Sequence, residues 1–388
     1  MKVLYSTQSV VEYDGLHYYS SPIQAMYKRY LPLGNEITVF GYLKEVKESH
    51  SDPLDEDVLK FKFARKVNSL KSILRGDNKW NDKLAEQLVK DADVCVVHVP
   101  CDHSIQVIKY AKKYGKPYMT VVCGCPWDAL WNYDWRGKLL APMAYISLRK
   151  VQIDTPYSIY VTSHFLQNRY PTRGKSIGCS NVNISTGIEG VLERRLRQIN
   201  DCRETKRTLR IGTAAAIDVP YKGQEYVIKA LAQLKEEGIR YEYHLIGRGS
   251  EERLKNIAIE GDVYDQMFFH GPLPHSKVLD FMDEMDIYVQ PSKQEGLPRA
   301  TIEAMSRGCL CLGSRIAGIP ELLEDGFLFE KGNVNEIANI LRNISIDTLE
   351  EQAKRNFEEA KLYDVNVINK RRERFIQEFK ESYIDENI

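Results

Sequence analysis

Short apolar runs alternate with amphipathic stretches along the first 184 residues, and the alternation restarts after residue 206. "KVLYST", "EITVFGY" and "KPYMTVVCG" read as strands, and a loop through Asp14-Gly15 follows the first. "DVCVVHVP" is an unbroken apolar run, the mark of a parallel strand buried on both faces. "SPIQAMYKRYLPLG" and "SIQVIKYAKKYG" carry helical spacing and stop at glycine. The polar region 45–90 predicts mostly helix, with "DPLDEDVLKFKFARKVNSL" placing apolar residues at a 3.6 period. "SIYVTSHF" and "SIGCSNVNI" are further strand candidates.

Residues 185–206, "STGIEGVLERRLRQINDCRETK", are polar and basic and read as a linker with some helix. Beyond them "TLRIGTAAA", "YEYHLIGRGS", "QMFFHGPLP", "DIYVQPS" and "CLCLGS" read as strands. The helices "GQEYVIKALAQLKEEG" and "SKVLDFMDEM" fall between them, and Asn333 and Glu336 form a capping box opening "EIANILRNI". Strand–helix alternation in both halves argues for an α/β chain of two doubly wound domains facing each other across a cleft. The boundaries expected are 1–184, the linker 185–206, 207–362, and a C-terminal helix within 363–388 that packs back on the first domain.

Composition narrows the functions open to such a chain. At 388 residues two domains are the expectation. Lys and Arg number 54, as do Asp and Glu, which argues against a dedicated nucleic-acid binder. The eight cysteines form no CxxC, and the CxC pairs Cys123/Cys125 and Cys309/Cys311 sit in apolar runs, so they read as buried free thiols. Zinc-ligand spacing is missing. The N-terminus shows no long apolar h-region, and no segment approaches the ~20 apolar residues a bilayer span needs. A cytoplasmic location follows as the expectation.

The most concentrated chemistry lies in "SKQEGLPRATIEAMSRG", residues 292–308. Pro298 suits the first turn of a helix and Gly308 its C′ position. Glu303 then falls about one turn into that helix, and Glu295 lies in the loop before it. Gly296 lets a ligand approach the backbone, and free N–H groups at the helix start suit an anion such as a diphosphate. A nearby carboxylate would accept bonds from sugar hydroxyls. By spacing alone, both glutamates also read as surface acids stabilised by the helix dipole.

The stretch from "HGPLPHSKVL" through "AGIPELLEDG" closely resembles the C-terminal domain of family 4 glycosyltransferases, retaining enzymes of the GT-B fold that use nucleotide-sugar donors. The matching features are the two glutamates at E-x7-E, the Pro-Ser before them and "AGIPELL" after the next strand. "YKGQEYVIKALAQL" resembles that family's Lys-Gly motif and "YHLIGRGS" its glycine turn. The resemblance is strong over 207–345 and mainly architectural over 1–184. It implies that Glu295 contacts donor-sugar hydroxyls, Glu303 holds the ribose diol, and Lys222 binds the diphosphate. Backbone amides at Gly296 and Leu297 would meet the sugar or diphosphate. Gly247 and Gly249 would shape the nucleotide pocket, and His270 and Gly271 would lie near the base, His270 reading equally as a turn residue.

Two departures stand out. Many relatives carry an arginine six residues before the lysine; here that position is Ala216, and a second cation would come from Arg248 or Arg299 or be absent. Many also carry a histidine after the "KP…T" strand; here that position is Cys123. Gly15 matches the family's first glycine loop only loosely. The Asp-x-Asp pairs Asp55/Asp57 and Asp91/Asp93 are misplaced for a metal, so neither metal nor cofactor is expected.

In GT-B enzymes the first domain usually holds the acceptor, here a saccharide or lipid-linked saccharide. "CPWDALWNYDWRGKLLAPMAYISLRK" includes Trp127, Asp128, Trp131 and Trp135. The tryptophans, four apart, read either as a sugar platform or as core. The apolar "LLAPMAYISL", flanked by Arg136, Lys138, Arg149 and Lys150, reads either as a buried helix or as a peripheral contact with an anionic lipid surface at the inner face of a membrane. The leading expectation is a hexosyltransferase of surface polysaccharide or glycoconjugate assembly. A non-catalytic GT-B subunit and a GT-B nucleotide-sugar epimerase are the alternatives.

Overall fold

The computed structural model describes residues 1–49, 51–67, 72 and 75–383. The chain divides into two compact units. The first comprises Met1–Trp127, Leu139–Cys179 and the C-terminal helix from Lys370 onward. The second comprises Asp128–Lys138 and Ser180–Asn369.

The first unit is built on strands β1 (Lys2–Tyr13), β2 (Tyr18–Tyr19), β3 (Glu36–Glu45), β4 (Leu59–Phe63), β5 (Val94–Val99), β6 (Tyr118–Val122), β7 (Tyr157–Tyr160) and β8 (Lys175–Gly178). Their order is β4-β3-β1-β5-β6-β7-β8, all parallel, with β2 pairing antiparallel to β1. The central strands β5, β6 and β7 are buried at every position, which is why their sequences are unbroken apolar runs.

Two expectations need correction here. The first strand does not end at "KVLYST". It continues past a register shift between Ser6 and Val10 and turns back into β2 through Asp14–His17. The region 45–90 is not mostly helical among the described residues, because β4 occupies Leu59–Phe63 and the long helix of the region runs only over Asp77–Asp91. The apolar positions of "LKFKF" alternate, and Tyr18 packs its ring 4.5 Å from Phe61. Cross-strand aromatic packing outweighs the local helical spacing. Residues 68–70 of the expected helix lie outside the described residues.

The second unit carries β9 (Leu209–Ala214), β10 (Tyr241–Ile246), β11 (Met267–Phe269), β12 (Ile287–Gln290), β13 (Leu310–Ser314) and β14 (Leu328–Phe329). The parallel sheet runs β11-β10-β9-β12-β13-β14. The chain winds one way from β9 and the other way from β12. The loops leaving those neighbours therefore diverge at a topological switch point, where α/β sheets bind ligands. The stretch expected as a linker is largely the helix Val191–Thr205. Its buried Arg195 donates to the carbonyls of Arg307, Met285 and Met282 and so anchors the helix within the second unit.

Candidate functional site

The switch point gathers the residues singled out from the sequence. β12 ends at Gln290, and the loop 291–298 leads into the helix Arg299–Ser306. β9 leads through Ala214–Val219 to the short turn Pro220–Lys222 and the helix Gln224–Glu236. These two loops are tied together. The Lys293 amide donates to the Tyr221 carbonyl at 2.7 Å. Gly223, at φ +76°, lets the Pro291 carbonyl pass where a Cβ would sit only 2.0 Å from its oxygen. That approach is closed to any other residue.

The tie carries Lys222 to Glu295 across 73 residues of sequence. Lys222 Nζ donates to Glu295 Oε1 at 2.7 Å. Ser292 Oγ donates to the same oxygen at 2.7 Å, and Gln290 Nε2 at 3.0 Å. Gln290 is itself held by the Tyr288 hydroxyl, which donates to its Oε1 at 2.7 Å. All three donors converge on Oε1; among the described residues, Oε2 accepts no hydrogen bond. The carboxylate is thus fixed in orientation by bonds to one oxygen alone. The Pro-Ser before the glutamates stood out in the sequence as a family feature, but the bracing by Ser292 and Gln290 did not, although "QPS" was its signal.

Glu303 sits one turn into its helix and is buried, 7% exposed. It lies in the same cluster: burial pushes the Tyr288 hydroxyl well up, and the charges of Glu303 and Glu295 add to that. Gly296 accepts at its carbonyl from the Gly318 amide at 2.9 Å, which fixes the "AGIP" turn against the glutamate loop. Leu297 is buried behind it. On the other side of β9, the Gly247 amide donates to the Gly271 carbonyl at 3.0 Å, and the Arg248 carbonyl accepts from Ile217 at 2.9 Å. Gly249 lies against Asp218. The glycine turn therefore packs on the loop after β9. His270 is exposed, yet its Nε2 meets His244 Nδ1 at 3.0 Å and its ring stacks on His244. Arg248 and Arg299 are exposed and form no ion pair among the described residues. Ala216 accepts at its carbonyl from Gln224 Nε2 at 2.9 Å, so the position carries a backbone tie and no cation.

Residues 210–362 match the family described as "Glycosyl transferases group 1". The matched residues all lie within the second unit. Protein CapJ of Staphylococcus aureus is 26% identical over 388 residues, 98% of this chain and 96% of CapJ. The amylovoran biosynthesis glycosyltransferase AmsK of Erwinia amylovora is 36% identical over 134 residues, 32% of this chain and 33% of AmsK. HepE of Anabaena, solved in complex with UDP and glucose, superposes with a TM-score of 0.65 at 16% identity, over 98% of this chain and all of HepE. The two parallel-sheet units thus have the GT-B fold.

Gly15, Cys123 and Trp127 belong to the first unit. Gly15 lies in the exposed β1–β2 turn at φ +101°. Its carbonyl accepts from the Tyr13 hydroxyl, and Asp14 Oδ1 accepts from the Leu16 and His17 amides. Cys123 follows β6, and burial pushes its thiol up to about 12. Its Sγ lies 3.8 Å from Nδ1 of His98, whose Nε2 is 2.7 Å from the Tyr30 hydroxyl. Trp127 packs edge-on against Tyr145 with Arg169 over its ring. The tryptophan stripe is interrupted, since one helix ends at Trp131 and another begins at Trp135. Asp128 belongs with the second unit, where Asn132 donates to the Lys293 carbonyl at 3.1 Å beside the glutamate loop.

Proposed function

We propose that the protein is a retaining family 4 glycosyltransferase. It transfers a hexosyl group from a nucleotide-sugar donor to a saccharide or lipid-linked acceptor, in the cytoplasmic steps of surface polysaccharide or glycoconjugate assembly. The observation that carries this reading is the Glu295 carboxylate, braced on one oxygen by Lys222, Ser292 and Gln290 and open on the other. AmsK is named as a glycosyltransferase of amylovoran biosynthesis, and HepE was solved with UDP and glucose, which supports both the pathway class and the donor class.

Glu295 Oε2 accepts from the donor sugar's hydroxyls and fixes the ring. The amides of Gly296 and Leu297 and the Lys222 ammonium face the diphosphate. Glu303 holds the ribose diol, and Gly247, Arg248, Gly249, His270 and Gly271 border the nucleotide. As the bond between the anomeric carbon and the phosphate oxygen breaks, charge grows on the leaving diphosphate, where Lys222 counts most. The acceptor oxygen bonds to the anomeric carbon on the same face and gives its proton to the departing phosphate. Asp55/Asp57 and Asp91/Asp93 precede β4 and β5 and so lie at strand beginnings, and the reaction proceeds without a metal.

The test is thermal melting with UDP-, GDP-, ADP- and dTDP-sugars, since a donor that binds only the native state raises Tm. The stabilising donor is then incubated with acceptors in excess chelator, and the anomeric configuration of the product is read by NMR. One donor should stabilise the chain and yield a product of retained configuration. Stabilisation without transfer would favour a binding subunit, conversion of the donor alone an epimerase, and stabilisation by no nucleotide sugar would overturn the reading.

A further inference from the structure

We infer that the helix Trp135–Gln152 is a docking surface for a bilayer containing anionic phospholipid. A buried helix, one of the two readings open from the sequence, is not what the structure contains. Ala141 and Leu148 are fully buried on the inner face, but Trp135 is 67% exposed, Leu139 71%, Met143 63% and Ile146 50%. At 3.6 residues per turn, these four fall within a sector of roughly 80° on the outer face. An outward stripe of large apolar side chains on a helix that already buries its other face calls for a partner.

The charges choose the partner. The helix carries Arg136, Lys138, Arg149 and Lys150 and not one acidic residue, in a chain whose acids and bases balance. On the same wheel Arg136 falls on one flank of the apolar stripe, Lys138 and Arg149 on the other, and Lys150 within it near its C-terminal end. That is the layout of a helix lying in a membrane interface, with apolar side chains in the acyl boundary and long basic side chains snorkelling to phosphate headgroups. A second copy fits poorly, because symmetric pairing would set these four cations against four more. None of the helices among the described residues is long and apolar enough to cross a bilayer, so the contact is peripheral. The surface is independent of donor chemistry and stands or falls separately from the transfer reaction.

The experiment is co-sedimentation of the full chain with vesicles of phosphatidylcholine alone and of equal parts phosphatidylglycerol and phosphatidylcholine. Binding should require phosphatidylglycerol and weaken with salt. The triple variant Leu139→Ser, Met143→Ser, Ile146→Ser should bind at least about tenfold more weakly, since three buried apolar side chains are lost. Lys138→Gln with Lys150→Gln should cost roughly fivefold for each cation removed. As a readout without a multiple variant, brominated lipid should quench the tryptophan emission of the native chain, and Trp135→Phe should lose most of that quenching. Equal binding to both vesicles, no binding at low salt, or unchanged binding by a folded triple variant would overturn the inference. So would a dimer in vesicle-free buffer that the triple variant dissolves.

Discussion

Each unit is built on its own largely parallel sheet, but the two finish the carboxyl ends of their central strands in opposite ways. In the second unit the loops after β9 and β12 are cross-tied by polar bonds, and their charged groups stay partly wet: the side chains of Lys222 and Glu295 are 20% and 14% exposed. In the first unit the ends of β5 and β6 are closed by Tyr5, Tyr30, His98 and Cys123. Burial, with Arg29 and Arg372 nearby, pushes the imidazole of His98 down to about 3. A charged pair is useful to a ligand only if one face of it can exchange water for substrate. The second unit preserves that face, whereas burial in the first favours the neutral forms of the His98 imidazole and the Cys123 thiol.

The largest effect that would break this contrast is kinetic. Lys222→Ala should lower turnover by about 10²–10³, because the lysine acts on charge that develops in the transition state. Ala216 brings no second cation, so little softens the loss unless Arg248 or Arg299 reaches the diphosphate. Steady-state kinetics of the variant check it. A rise in the donor KM with turnover intact would mean that Lys222 serves chiefly to brace Glu295.

Glu303→Ala should act on binding instead. A ribose contact is made about equally in ground and transition states, so its loss raises KM. One charge-assisted hydrogen bond is worth roughly 1.5–3 kcal/mol. Calorimetry with the free nucleoside diphosphate should show that weakening, and an unchanged affinity would remove Glu303 from the nucleotide pocket.

The same contrast governs what could be read from the sequence. In the second unit the site was legible because its residues lie in two short loops whose glycine and proline punctuation is local. Lys222-Gly223 and Glu295-Gly296-Leu297-Pro298 announce turns and helix starts by themselves. What was not legible was the bracing by Gln290 and Ser292, which depends on side-chain direction at the end of β12. In the first unit the failures were of long range. The spacing around β4 reads as helix because the ring that packs on Phe61 and Phe63, Tyr18 of β2, lies some forty residues earlier. The assignment of Asp128–Lys138 to the second unit could not be seen either, since it rests on tertiary contacts such as Asn132 to Lys293.

Acid should separate the two units. His98 meets Tyr5, Tyr30 and Cys123, with Arg29 and Arg372 acting from further off. His103, held down to about 4 chiefly by burial, faces the carbonyls of Thr7 and Phe40, Cys101 and the Tyr42 ring. Both imidazoles titrate lower folded than unfolded, so the unfolded chain binds protons first. Their contribution is complete above about pH 6.5 and is lost as pH falls toward about 4 and 3. By about pH 5 each should have cost the first unit up to about 2 kcal/mol. Burial also lowers His244 in the second unit, but that ring is braced by Glu242, which opposes the shift. Hydrogen exchange should therefore show β5 and β6 losing protection before β9 and β12. Loss in the reverse order would place the acid-sensitive groups elsewhere.

The smallest expected effect concerns a glycine. Gly223 and Gly15 both have positive φ, but for different reasons. Gly223 is required by a backbone that passes through the space of its missing side chain, whereas nothing lies within 4 Å of a Cβ built on Gly15. The turn around Gly15 is held by its neighbours: Asp14 accepts from two amides and from the Tyr19 hydroxyl, which holds its carboxyl down to about 2. Gly15→Ala therefore meets only the intrinsic cost of a left-handed backbone, about 1 kcal/mol. Tm should drop by a few degrees at most, and kcat and KM for both substrates should stay within about twofold. The resemblance to family 4 enzymes puts a glycine loop of the first domain near the diphosphate or acceptor. If Gly15→Ala leaves Tm intact but cuts kcat/KM by tenfold or more, the β1–β2 turn is that loop, and the first unit contributes to the site through it. If both kinetic constants hold, Gly15 is a turn residue, and the counterpart of the family loop is to be sought at the irregularity between Ser6 and Val10, where β1 slips its register against β3.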